Sequence, residues 1–127
     1  MKSLLASICC LAVLVTAWAI YDHYSDHKLH GFINEIEDKI IPAVEHDNWG
    51  HAESAFEKIS DDWHKYKKIS AFFFDRKSLN DADYSIAKSK YYIKANDLSN
   101  ATSELACLKE QLSFLHANER FHIQNIL

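Results

Sequence analysis

The chain has 127 residues, a formal net charge of −4 and a quarter of its positions charged. Acids and bases are interspersed, so there is no basic stripe of the kind phosphate binding needs, and no nucleic-acid partner is expected. One Pro and two Gly in the whole chain argue for long helices and against sheets.

Residues 3–21, SLLASICCLAVLVTAWAIY, contain no charge, Pro or Gly. About 20 helical residues cross a bilayer core, and a helix satisfies its own backbone groups in lipid. Trp18, Tyr21 and Tyr24 gather at one end of the run, where amphipathic rings favour the headgroup region. Ala17-Trp18-Ala19 has the small-x-small form of a cleavage site, but the apolar run is longer than that of a signal peptide. The segment 1–21 is therefore read as an uncleaved anchor in membrane lipid. Lys2 lies on one side of it, Asp22 and Asp26 on the other. Cations are retained in the cytoplasm, so the N-terminus is expected inside and residues 22–127 outside as one extracytoplasmic domain. Cys9 and Cys10 read as apolar filler. Cys107 stands alone in the rest of the chain, which leaves that domain no internal disulfide.

The first helix after the anchor is predicted from about Asp22 to His46. Leu29, Phe32, Ile33, Ile36, Ile40 and Val44 recur at spacings of three and four, which lines them on one face. Pro42 should kink it near its end, and nothing before Gly31 separates it from the anchor. Asp47-Asn48 offers a capping side chain for a second helix, whose face is Trp49, Ala52, Phe56, Ile59, Trp63 and Tyr66. The third helix is placed from about Ser70, with Phe72, Leu79, Ile86 and Ile93 one heptad apart. Asn96-Asp97 caps the fourth, whose face is Leu98, Ala101, Leu105, Leu108, Leu112 and Leu115, with its register fraying beyond Asn118.

The second and fourth helices repeat one pattern at a shift of 49 positions. Asn48 matches Asp97, Trp49 matches Leu98, Ala52 matches Ala101, Ser54 matches Ser103, Phe56 matches Leu105, Ile59 matches Leu108 and Trp63 matches Leu112. The preceding helices match only weakly. The expected fold is all-α: an N-terminal transmembrane helix, then an antiparallel bundle of about four helices built as two related hairpins.

From Asn48 on, the stretches NWGHAESAFEKISDDW, YYIKAND and LSNATSELACLKEQLSFL, with the closing Asn125-Ile126-Leu127, resemble a family of small bacterial proteins known as domain of unknown function 4363. Asp75 departs from the pattern, standing where a His is expected. The resemblance implies an envelope protein of the Gram-positive type with a helical body. It implies no activity, and no catalytic residue carries over.

Two side-chain groups are candidates for function. His23, His27 and His30 fall at i, i+4 and i+7 with Asp26 beside them, a spacing at which imidazoles can converge on a transition metal. The competing reading is a solvated face, and eight histidines also raise the idea of a pH sensor. Phe73, Tyr84, Ala87 and Tyr91 form a second stripe on the third helix, and Cys107 and Phe114 a matching pair on the fourth. That stripe is either further core or an exposed contact surface. Asn100-Ala101-Thr102 is a formal glycosylation sequon, discounted because it lies inside a predicted helix and the resemblance implies a bacterial protein. Glu35/Asp38, Asp61/Asp62 and Asp81/Asp83 lack a paired base or nucleophile and read as solvated or helix-end charges. The expectation is a non-enzymatic accessory or scaffold subunit without a cofactor, bound to an integral membrane protein or to itself. The alternative is a small-ligand, metal or pH sensor on the histidine face.

Overall fold

The computed structural model of the chain describes residues 1–72 and 74–126, with side chains described as far as Ala117. Helix α1 covers Lys2–Glu35. It passes into a wide π-helical turn at Ile36–Ile40 and continues as α2 over Ile41–Glu45. Then come α3 at Trp49–Ser70, α4 at Arg76–Lys94 and α5 at Leu98–Ile126. The fold is an all-helical bundle led by a long apolar helix.

The run Lys2–Glu45 is long and apolar enough to cross a membrane, with a mean hydropathy of 2.3 over its most apolar stretch, none of it buried. The first buried position along this run is Tyr21, and its hydroxyl donates to Ser70 Oγ at 3.0 Å. One turn on, Ser25 and Tyr66 share a hydroxyl–hydroxyl hydrogen bond of 2.6 Å. These two pairs close the base of the bundle between α1 and α3. Each hydroxyl has a partner there, as burial of a polar group requires.

The predicted kink at Pro42 takes the form of the π turn. Proline has no N–H, and its ring collides with the carbonyl four residues back, here Asp38. The turn before it widens, and the Ile41 N–H reaches back five residues to Ile36 O. Ile36 and Ile40 are fully buried on its inner side.

Short joints connect the helices, and two of them are alike. After α2, Asp47 adopts a left-handed φ of 58°. Its N–H donates to Val44 O at 3.2 Å, and the Asn48 N–H donates to Ala43 O at 2.8 Å. After α4, Asn96 has φ 54°, its N–H donates to Ile93 O at 3.1 Å, and the Asp97 N–H to Tyr92 O at 3.0 Å. Both are Schellman closures, in which two residues past the helix end satisfy its last carbonyls. They stand 49 residues apart, so the sequence repeat is also a repeat of backbone. Asp and Asn hold these positions because they tolerate the left-handed conformation better than most residues.

The caps that follow differ. Asp97 Oδ1 accepts the Asn100 N–H at 3.2 Å, as expected. Asn48 makes no side-chain capping bond, contrary to the sequence reading. The third helix also starts later than predicted. Ser70 is the buried last residue of α3, and α4 begins only after Asp75, whose carboxylate accepts the Ser78 N–H at 2.6 Å. Phe72 therefore falls in the turn and is 87% exposed rather than part of a heptad seam. Phe74 packs against the core in its place. Leu98, predicted on the inner face of α5, is 46% exposed at its first turn.

Each helix packs on two neighbours, in the cyclic order α1, α3, α4, α5. The core takes Leu29, Phe32, Ile36, Ile40 and Val44 from the first rod, Ala52 to Tyr66 from α3, Leu79, Ala82, Ile86 and Ile93 from α4, and Ala101 to Leu115 from α5. The weak match between the first rod and α4 has a packing reason. Ile36 and Ile40 correspond to Ser85 and Ser89 at the same shift of 49, and all four are buried. Small residues on α4 let α5 approach closely, and these two helices make the most extensive contact in the bundle.

Asp75 is exposed and its carboxyl is held below the ordinary 3.8, first by the Ser78 backbone N–H and then by the Ser78 side chain. A depressed folded pKa adds stability that is present above the ordinary value and lost as pH falls through the depressed one. Asp75→Ala should lower the melting temperature at neutral pH. The gap between variant and parent should close on acidification below about pH 3.8, as thermal melts monitored by circular dichroism would show.

Candidate functional site

Asp26 and His30 lie one helical turn apart on α1, and the bundle brings His116 of α5 against both. His116 donates through Nε2 to Asp26 Oδ1. The rings of His30 and His116 are 4.6 Å apart, tilted by 59°. One ligand atom from each of the three residues falls within 4.8 Å of the other two. His116 is largely enclosed, with 16% of its side chain exposed, while Asp26 keeps 44% and His30 faces solvent. Two imidazoles and a carboxylate offer donors suited to zinc and its neighbours.

The structure divides the histidines that the sequence grouped. Three residues on a helix turn by about −60° net, so His27 and His30 diverge around α1. His30 meets α5. His27 lines an open groove against α3 with Lys28, Glu35, Lys58 and Asp62. His23 is exposed. Neither His23 nor His27 joins a group of three metal-binding side chains among the described residues. His116 had no signal in the sequence, because it is 90 positions from Asp26 and only the fold joins them.

Asp83, read as a solvated charge, is a structural acceptor. Trp63 is buried and its Nε1–H donates to Asp83 Oδ1 at 2.6 Å, while Lys67 donates to Asp83 Oδ2. A buried indole N–H needs an acceptor, which is the signal that could have found Asp83. Glu35 pairs with Lys39 at 2.9 Å, and Lys109 of α5 reaches Glu37 in the π turn at 3.4 Å. The Asn100 side-chain amide donates to Asp97 at 2.8 Å and is part of the α5 cap.

The aromatic stripe lies outside the core. Tyr84 is 64% exposed, Tyr91 77% and Phe114 58%, and Ala87 and Cys107 are also exposed. Phe73 lies outside the described residues.

What these features define is a helical bundle on an apolar leading helix, with an Asp/His cluster between its first and last helices and exposed rings on α4 and α5. Residues 20–126 match the model of the family described as a domain of unknown function (DUF4363), and the chain belongs to that family. The match begins one residue before Tyr21, the first buried residue. No curated protein and no solved structure matches the chain.

Since Tyr84 and Tyr91 face solvent, Tyr84→Ser and Tyr91→Ser should each change unfolding free energy by no more than about 0.5 kcal/mol. Urea denaturation of the two variants checks this. A loss of several times that amount would return the stripe to the core.

Proposed function

We propose that this chain is a membrane-anchored, non-enzymatic subunit that acts through protein contacts at the cell envelope. Its N-terminus would lie in the cytoplasm and its bundle outside. The exposed Tyr84 and Tyr91 on α4 carry the reading. Large amphipathic rings are enriched where proteins meet, because they give contact area at low entropy cost and keep a polar tip. The i, i+7 spacing aligns the two rings on one side of the helix. The partner is taken to be an integral membrane protein, since an apolar leading helix would hold the bundle close to the bilayer surface.

A photo-crosslinker at Tyr91 in native membranes should recover one stoichiometric integral membrane protein, and the same probe at exposed Glu110 should not. Recovery of no such partner from position 91 would overturn the contact role. For orientation, protease added outside intact cells should digest residues 22–127. Protection of that segment until the cells are opened would reverse the topology.

A further inference from the structure

The geometry points to a divalent transition-metal site formed by Asp26, His30 and His116, which ties the last helix of the bundle to the first. Nothing in the contact role requires it. The donor set is two imidazoles and one carboxylate, and three protein ligands of that kind with the remaining position open are a common zinc arrangement. Two of the three donors are already in register: Asp26 and His30 lie at i, i+4 and project over the same turn of α1. His116 arrives from α5 already engaged with Asp26 and with its ring against that of His30.

The distances are close to those of a formed site. Ligand atoms about 2.0–2.1 Å from a tetrahedral ion stand about 3.3 Å apart. The three donors lie within 4.8 Å of one another, so closure asks for at most about 1.5 Å of movement. A change of side-chain torsion at exposed His30 supplies that without moving a helix. Enclosure of the His116 side chain, 16% exposed, keeps one ligand fixed, while exposed His30 leaves a path for the ion to enter.

A purely structural account has Asp26 and His116 hydrogen-bonded, with His30 only lying alongside. The two accounts differ over His30. As a ligand its loss removes metal binding, whereas as a bystander its loss changes nothing. The ion would also link residues 90 positions apart in sequence. Its binding energy should therefore raise the stability of the whole bundle, because a site formed only in the folded state adds to folding free energy.

The test uses the full chain in detergent micelles, stripped with chelator and titrated with cobalt(II), then with zinc. Cobalt should produce visible d–d absorption bands that zinc abolishes, and zinc should raise the melting temperature. His30→Ala and His116→Ala should each weaken zinc binding by about tenfold or more, while His23→Ala and His27→Ala leave it unchanged. His30 is exposed, so its variant should fold even where loss of His116 loosens α5. No cobalt spectrum and no melting shift would overturn the site. So would zinc affinity left unchanged by His30→Ala, or binding that depends instead on His23 and His27.

Discussion

Trp63 sets the terms on which this bundle closes. Its ring meets Phe32 of α1 edge-on at 6.2 Å and Tyr66 of its own helix at 5.5 Å. Its N–H reaches Asp83 of α4. One side chain thus ties three helices together, and truncation of a side chain this large in a packed core costs about 3–5 kcal/mol. The demands then propagate outward. A buried indole needs an acceptor, the acceptor is a carboxylate, and the carboxylate draws Lys67 over it. Tyr66 extends the same cluster down to Ser25, so the aromatic centre and the Ser25–Tyr66 hydroxyl pair at the base form one connected set.

The inner faces were readable because they rest on local periodicity. Ala52, Phe56, Ile59, Trp63 and Tyr66 of α3 and Ala101, Leu105, Leu108, Leu112 and Leu115 of α5 are all buried as the spacing predicts. The 49-residue repeat was readable too, though its physical content lies partly in the backbone. The two left-handed residues at Asp47 and Asn96 turn each hairpin, and side-chain matching does not register them. What failed was a boundary. The heptad through Phe72 looked regular, but Asp75 offers a carboxylate to the start of α4 and the chain turns before it. A local capping bond decided that position against a longer-range apolar pattern.

The candidate site was legible only in part. Asp26 and His30 share a helical face that spacing can reveal. The choice between His27 and His30 depends on which neighbour lies beside each, and spacing along one helix carries no such information. His116 becomes relevant only after α5 folds back along α1. The exposed rings on α4 posed a similar ambiguity. Two apolar stripes on one helix can each face a neighbour, but α3 and α5 both pack on α4 and its buried residues are Leu79, Ala82, Ser85, Ile86, Ser89 and Ile93, which leaves the stripe of Tyr84 and Tyr91 free.

The wide turn at Ile36–Ile40 also works as a phase correction. Steps of four residues overshoot a regular α-helical turn by about 40° each, so Leu29, Phe32, Ile36, Ile40 and Val44 would wind away from the core along a uniform helix. Holding one additional residue in the turn takes back that drift, and all five stay buried. The residue count of this turn is therefore fixed by the faces on either side of it. Wound as a uniform α-helix with the same number of residues, the rod would swing Val44 by about 100° toward water. A segment that looks like a defect beside a proline is what keeps a 44-residue rod in register with a bundle that packs against only its upper half.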